Sequence, residues 1–299
     1  MTVIRSPIIW MGSKGRYSEI IKQNLPDKGE VTKALDLFAG SGEVGVGMMD
    51  YNHVTCNDFM HQLVGMHNMF KNVSDAETFI DKLISLEKDF GLGKPPNKKD
   101  ELYKKKIGVL KDNYINFREN VYNLTKLPEY LYILHCNSFS NGVRFSQNGS
   151  MTQPYGERYF NPSLQKKMKV WIDLLQGRDV EFVCNSFKNL DFNDYDFVYA
   201  DPPYLFSDSS YQESKKTAWS ARDDYALYNK LANYKGKWML SNQLYSKGKH
   251  NYILQEFIDQ QSSVDNNNIR VVELSSQSYK NCNYQREDKK TVELLIMNY

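Results

Sequence analysis

Long apolar runs are missing from this chain of 299 residues. No window reaches the roughly 18–20 apolar residues that a membrane-spanning helix needs. The N-terminus also lacks the short apolar core of a signal peptide, so a cytoplasmic location is expected. Cysteine is scarce and scattered: Cys56, Cys136, Cys184 and Cys282 form no C-x-x-C pair. That spacing excludes a zinc ribbon and gives no disulfide framework. The five histidines (His53, His61, His67, His135, His250) show no close paired spacing, and none is assigned a role. A surplus of one charge is missing too. The 38 Lys and Arg residues against 36 Asp and Glu leave a formal net charge of +2. Whole-molecule charge therefore gives little argument for a nucleic-acid partner. One local surplus exists, with eight basic residues between Lys94 and Arg118 against Asp100, Glu101 and Asp112. Such a stretch either faces phosphates or forms a solvated helix face.

What is present reads as a folded α/β protein. Hydrophobic residues make up 41% of the chain and charged residues 25%, ordinary for a globular protein. Five segments read as buried strands: 33–38, 53–57, 180–184, 196–200 and 237–241. Two more follow, at 269–275 and 291–298. Helical patterns fall at 13–25, 44–51, 221–234 and 250–261. Strands alternating with helices imply βαβ units and a mostly parallel sheet. The polar link 277–290 has no helical period, so the last two strands are expected as an antiparallel hairpin at the sheet edge. The alternation is interrupted from 59 to 177, which reads as an inserted, mainly helical subdomain. It holds helical patterns at 76–90 and 99–123, a breaker cluster at 91–97, and a polar, aromatic stretch at 137–160. The expected division is thus a catalytic domain of 1–58 and 178–299 around an insert of 59–177.

The most informative residues are Asp201-Pro202-Pro203-Tyr204, directly after the apolar run 196–200. In an open α/β sheet, ligands bind where strands end in loops. There, the Asp201 carboxylate can accept one hydrogen from an amino group. Proline restrains the backbone, so the Pro202 carbonyl can accept the second. Tyr204 offers a flat face to a planar ring. A target needing all three is an exocyclic amine on a heteroaromatic base.

A second element follows the first strand: Asp36-Leu37-Phe38-Ala39-Gly40-Ser41-Gly42. Its glycines permit a tight turn and close approach to a ligand. The next strand ends at Asp58, 18 residues after Gly40, where an acid can accept from both ribose hydroxyls. The loop lacks the third glycine of G-x-G-x-x-G, which favours a smaller nucleoside such as S-adenosylmethionine over a dinucleotide. A third element is Trp10-Met11-Gly12-Ser13-Lys14. Trp10 can pack on an adenine ring, and Lys14 can bind a carboxylate.

In this order the elements resemble the Dam-type DNA adenine-N6 methyltransferases of bacteria and bacteriophages, over nearly the whole chain. Residues 10–14 match the family's W-x-G-x-K element, 36–42 its cofactor loop, Asn57-Asp58 its ribose-binding acid and 201–204 its D-P-P-Y motif. Asn141-Gly142-Val143-Arg144-Phe145 and Gln153-Pro154-Tyr155-Gly156 look like its target-recognition segment. Leu240-Ser241-Asn242 and the closing residues 289–299 also fit. Cofactor loop, then insert, then D-P-P-Y is the order of the family's alpha group. The resemblance implies a Rossmann-like methyltransferase sheet and S-adenosylmethionine as methyl donor. Cofactor contacts would come from Trp10, Lys14, Asp36, Phe38, Gly40, Asp58, Phe187 and Asp201. Phe187 reads nearly as well as a core residue. Implied DNA contacts are Asn141, Arg144, Asn148 and Tyr155, with Arg144 reading a guanine edge in the major groove.

The implied reaction is methyl transfer to N6 of an adenine flipped from duplex DNA, with Asp201, Pro202 and Tyr204 as the catalytic residues. No metal is expected, because a sulfonium is already an activated donor. A monomer acting on double-stranded DNA, away from membranes, is the simplest state. Two departures stand out. Ile9 occupies the place of a lysine that reads the first base pair in many Dam enzymes, which puts G-A-T-C recognition in doubt. Glu43 follows the glycine loop and disfavours an anion there. Two alternatives remain: amino-methylation of RNA or protein, and a non-catalytic nucleic-acid-binding protein on the same scaffold.

Overall fold

The computed structural model describes residues 4–206, 219–246, 248–264, 268–275 and 291–299. The polar link 277–290, with Cys282, Lys289 and Lys290, lies outside them. Eight strands form one sheet. They are β1 (Lys33–Asp36), β2 (His53–Asp58), β3 (Val180–Cys184), β4 (Phe197–Ala200), β5 (Lys237–Ser246), β6 (Lys249–His250), β7 (Arg270–Ser275) and β8 (Thr291–Met297). Their order is β3-β2-β1-β4-β5-β8-β7, with β6 paired to β5. The first five of that order run parallel, as the βαβ reading expects.

The last two strands pair antiparallel, as expected, but only β7 is at the edge. β8 inserts between β5 and β7 and is antiparallel to both. The reason lies in the residues. Every position of β8 except Val292 is buried, and a run covered on both faces belongs in a sheet interior. On β7, Val271 remains 45% exposed, which an edge strand tolerates.

Side chains alternate across the sheet with the strand period of two. Ala34, Phe197, Tyr199, Met239, Leu295 and Met297 face one apolar cluster. Leu35, Val198, Ala200, Trp238, Leu240, Leu294 and Ile296 face the other. The second cluster is closed by α9 (Ala221–Asn233) and α10 (Tyr252–Ser262), through Leu227, Leu231, Leu254 and Phe257. The first is much larger. It is closed by α3 (His61–Lys71), α4 (Ala76–Asp89), α5 (Tyr103–Phe117), α7 (Pro128–Asn137) and α8 (Pro162–Leu175). Residues of the 59–177 stretch therefore share one continuous core with that sheet face.

Local chemistry explains the helix limits. Asp75 caps α4 by accepting from the Glu77 amide, and Asn161 caps α8 by accepting from Ser163 and Leu164. Pro128 and Pro162 stand in the first turns of their helices, where a missing N–H costs nothing. The 99–123 pattern forms α5, then a π-helical turn (Arg118–Tyr122), then α6 (Asn123–Thr125), which Lys126 ends at φ +57°. α7 has no polar face to betray it: its residues 131–137 are all buried. Of the 13–25 pattern, residues Lys14–Tyr17 form a 3₁₀ turn and only Ser18–Gln23 form α1. α2 is short, Glu43–Gly47 rather than 44–51, because its interior glycines weaken it.

Strand order reverses between β1 and β4, which carry the chain in opposite directions across the sheet. Asp36 pairs with Tyr199 in that register, so the loops after β1 and β4 leave the same edge side by side. That switch point is where the candidate residues converge.

Candidate active site

The loop after β1 is held by its own backbone and by two acids. The Gly40 amide donates to Asp58 Oδ2 at 3.0 Å, and the Met60 amide donates to Asp58 Oδ1 at 2.9 Å. A carboxylate has about four acceptor positions, and the amides of Gly40, Met60 and Phe59 take up part of them. Burial raises its pKa, while the amides of Met60 and Gly40 oppose that shift. Asn57 ties the neighbouring loops together. Its amide donates to the carbonyls of Leu37 and Asn185, and its oxygen accepts from the Asn185 amide. Gly40 has φ +50°, and a Cβ there would lie 3.1 Å from the Trp10 ring. Only glycine lets Trp10 pack that closely on the loop.

Asp36 points inward. Its Oδ2 accepts from the Gly45 amide at 2.8 Å, and its Oδ1 has no partner among the described residues. Burial is the largest cause pushing its pKa up to about 8, and the nearby charges of Asp201 and Asp58 add to it. Burial thus favours the uncharged form of this carboxyl. It supports the loop from below.

The loop after β4 is organised by charge. Lys14 Nζ donates to Asp201 Oδ2 at 2.7 Å and to the Gly12 carbonyl at 3.1 Å, and lies 3.4 Å from Glu293 Oε1. The Lys14 side chain is only 5% exposed and that of Asp201 16%. Burial works to lower the ammonium pKa, but Asp201 and Glu293 outweigh it and the net shift is upward. Asp201 moves up as well: burial raises it, and Lys14 restrains the rise. The Tyr204 hydroxyl is 3.0 Å from Asp201 Oδ1, 2.6 Å from Glu293 Oε1 and 3.2 Å from Ser241 Oγ. Lys14 Nζ also stands 4.9 Å from the Tyr204 ring centre, within cation–π range. Pro202 is buried behind the loop and Pro203 is exposed. Among the described residues, two carboxylates thus share the Lys14 ammonium.

Aromatic rings line the adjoining ground. Phe38 and Phe187 lie 5.6 Å apart between ring centres. Trp219, at the start of α9, closes the triangle at 5.4 Å from Phe38 and 5.3 Å from Phe187. Asp224 Oδ1 accepts from the Trp219 indole at 2.7 Å and sets its orientation. The N-terminal segment is fastened by Glu43, whose carboxylate accepts from the Ser6 amide and the Ser13 hydroxyl. That accounts for an acid beside the glycine loop: it holds the strap that carries Trp10 and Lys14. The Ile9 amide donates to His135 Nε2 at 3.1 Å, and the Tyr132 hydroxyl donates to the Pro7 carbonyl, so α7 anchors the same strap.

The recognition-segment residues are placed differently. Asn141 is buried, at φ +51°, and its amide donates to the carbonyls of His135 and Cys136 at the end of α7. Arg144 is half-buried on a short hairpin, where its Nε donates to Thr152 Oγ1 at 3.2 Å and Phe145 bridges Met151. Asn148 is exposed at the hairpin turn and accepts from the Ser150 amide. The Tyr155 ring lies 5.7 Å from that of Tyr114, and its buried hydroxyl has no partner among the described residues. Beside Tyr155, a Cβ on Gly156 would lie 2.2 Å from the Ser138 carbonyl oxygen, so glycine is required for this close approach.

Trp10, Lys14, Asp36, Phe38, Gly40, Asp58, Phe187, Asp201, Pro202 and Tyr204 are thus gathered around two adjacent loops. Asn141, Arg144, Asn148 and Tyr155 belong to a separate segment. Three contributors escaped sequence reading. Glu293 carried the one available signal, a lone acid inside an apolar strand. Trp219 stands in a polar stretch with no motif around it. His67, buried on α3, uses Nε2 to bond the Gly40 carbonyl at 2.9 Å and stacks on Phe182 at 4.6 Å. Burial lowers its pKa to about 4, so it supports the glycine loop as a neutral ring.

Known proteins resemble the chain over most of its length. The family model of the D12 class N6 adenine-specific DNA methyltransferases matches residues 10–286. The Type II methyltransferase M.FokI of Planomicrobium okeanokoites is 31% identical over 306 residues, covering 99% of this chain and 43% of that protein. Modification methylase StsI of Streptococcus sanguinis is 26% identical, with 99% and 43% covered. Modification methylase LlaI of Lactococcus lactis subsp. lactis is 29% identical, with 85% and 39% covered. The chain spans less than half the length of each. Among solved structures, an rRNA methyltransferase, aviRa from Streptomyces viridochromogenes, aligns at 10% identity over 100% of this chain and 90% of that one. Its TM-score of 0.37 is too low to bear on fold or substrate. The match across residues 10–286 takes in Trp10, Lys14 and the loops after β1 and β4: the chain belongs to the D12 class N6 adenine-specific DNA methyltransferase family.

Proposed function

We propose that the chain transfers a methyl group from S-adenosylmethionine to N6 of an adenine flipped out of duplex DNA, at G-A-T-C or a related site. The observation that carries this reading is the convergence of Lys14, Asp201 and Tyr204 beside the glycine loop and Asp58. These residues fit the donor. Asp58 is a carboxylate acceptor suited to ribose hydroxyls, Phe38 and Trp219 offer aromatic surface for its adenine with buried Phe187 packed against both, and Lys14 suits its carboxylate. The carboxylates of Asp201 and Glu293 complement a sulfonium. When bound, the donor supplies an activated methyl group.

The protein's own part is to bind, orient and accept. A base inside a duplex stack is out of reach, so the target adenine is extruded into the site. Tyr204 stacks on it. Asp201 and the Pro202 carbonyl each accept one N6 hydrogen, which turns the nitrogen lone pair toward the methyl. Lys14, moving from Asp201 to the donor's carboxylate, releases an acceptor oxygen as the site fills. Alignment and preorganised charge supply most of the rate. Target reading falls to Arg144 and Asn148 on the hairpin, with Tyr155 and Asn141 shaping the segment beneath. Ile9 lines a surface cleft of about 310 Å³ together with Arg158 and Lys167. An isoleucine has no hydrogen bond to give an outer base there.

The test is expression in a methylation-free host, with N6-methyladenine mapped by single-molecule sequencing. One modified sequence motif is expected, disappearing in the Asp201→Ala variant. Methyl incorporation into RNA or protein but not duplex DNA would overturn the reading.

A further inference from the structure

We propose that Glu293 is a positioning residue for methyl transfer: it takes the Tyr204 hydroxyl proton and so leaves an Asp201 oxygen for the incoming amine. The inference rests on the proposed role of Asp201 as the N6 acceptor. It starts from an oddity of β8, whose residues 291–297 read Thr-Val-Glu-Leu-Leu-Ile-Met. Glu293 is the one charged residue in that strand and is 1% exposed. A carboxylate is costly to bury without partners, so its partners state its purpose. Lys14 and Tyr204 are two of them.

The Tyr204 hydroxyl has one proton and, among the described residues, oxygen neighbours on Asp201, Ser241 and Glu293. Charge-assisted O–H···O bonds run about 2.5–2.7 Å, shorter than ordinary ones. The 2.6 Å contact with Glu293 falls in that range, and the 3.0 Å contact with Asp201 does not. The proton therefore lies toward Glu293. Asp201 Oδ1 then faces phenol lone pairs, and its own acceptor capacity stays open. Ser241, 3.2 Å away, can donate its hydroxyl proton to the same phenol oxygen. Together these bonds fix the Tyr204 ring plane, on which the base would stack. Removing the Glu293 charge has two effects. The phenol proton turns to Asp201, and Lys14, no longer shared, is held by Asp201 alone. Each oxygen of the acceptor would then already carry a hydrogen bond from the protein, which makes it a weaker and less freely aligned acceptor for the amine.

The experiment compares the wild-type protein with Glu293→Gln, Tyr204→Phe and the double variant, on a duplex carrying the mapped site. Turnover, KM for DNA, calorimetric affinity for S-adenosylmethionine and 2-aminopurine fluorescence at the target position are measured. Glu293→Gln should lower kcat about 10- to 100-fold, the scale of a misaligned reacting group. Base flipping should persist, and cofactor affinity should fall by less than kcat does, because Glu293 reaches the donor only through Lys14, which it shares with Asp201. In the Tyr204→Phe background, which keeps the ring but lacks the proton, the same substitution should cost less than about 3-fold. An unchanged kcat, or an equal loss in both backgrounds, overturns the proposal. Should Glu293→Gln fail to fold, Glu293→Asp makes the same comparison, since it keeps the charge near Lys14 but falls short of Tyr204. A wild-type protein that methylates no duplex sinks the methyltransferase reading itself. An active wild type with an indifferent Glu293 sinks only this inference.

Discussion

At the end of β4, side chains from three distant stretches share one small set of protons: Lys14, the pair Asp201 and Tyr204, and Glu293. The segment from 137 to 156 is also rich in polar residues, yet it spends them on itself. Ser138 donates to Gly142, Asn141 to the end of α7, Gln153 to Phe139, and Thr152 to Arg144, each time to a backbone carbonyl. The difference fits what each region would do under the proposed function. A chemical centre needs charges held together against their mutual repulsion and desolvation, so it draws on rigid strands and buries them. A reading surface needs a stable irregular backbone first, because irregular backbone leaves carbonyls unpaired that side chains must satisfy. Only a few side chains are then left to face outward.

This contrast predicts unequal consequences. Asp201→Ala should abolish methyl transfer, a loss of about 10³-fold or more in kcat, while the fold persists. A near wild-type rate in a radiolabelled methyl-transfer assay would break the contrast at its strong end. Lys14→Met should weaken binding of S-adenosylmethionine about 10- to 100-fold, the worth of a charge-assisted hydrogen bond. Calorimetric titration checks it, and an unchanged Kd would move Lys14 from cofactor binding to a purely supporting role.

Within the recognition segment, two neighbours should separate. Arg144→Ala should cost about 1–3 kcal/mol of discrimination against wrong sites, the scale of a bidentate base contact, with little change in melting temperature. Asn141→Ala should do the reverse. It loses two hydrogen bonds to carbonyls and places alanine at φ +51°, so about 1–3 kcal/mol of stability is expected to go. Its site preference should not change. If Asn141→Ala alters preference at constant stability, the segment reads DNA from its buried side after all.

The smallest effect concerns pH. Asp201 accepts from the amine only when ionised, and burial raises its pKa above the usual aspartate value while Lys14 holds it down. Activity should therefore fade, as pH falls, at a higher pH than an ordinary aspartate allows. In Lys14→Met the restraint is gone, and the acid limb of kcat/KM for S-adenosylmethionine, which reports the free enzyme, should move higher still. A limb that stays in place would show that Asp201 does not feel Lys14.

The alternation of apolar strands with helices, and the places where Asp36, Asp58 and Asp201 end their strands, were legible along the chain. Periodicity and strand-end motifs are local, so a linear reading can find them. Other features were beyond it. α7 gives no helical period because it is buried all round. Residues 242–246 continue β5 despite their polar character, because pairing with β8 and β6 supplies hydrogen bonds that composition does not announce. Asn141, quoted with Arg144 in one motif, turns inward because a left-handed residue at a helix end puts its amide beside the last carbonyls.

By itself, then, the sequence determined the fold class, the order of glycine loop and D-P-P-Y along the chain, and the residue types that can face an aromatic amine. Tertiary structure alone decided who partners whom. Lys14 meets Asp201 across 187 residues, and Tyr204 meets Glu293 across 89. Those meetings depend on β8 inserting beside β5 and on Glu43 and α7 fastening the N-terminal strap. Such long-range packing leaves no periodic trace in the chain, and it is what sets which proton each oxygen holds.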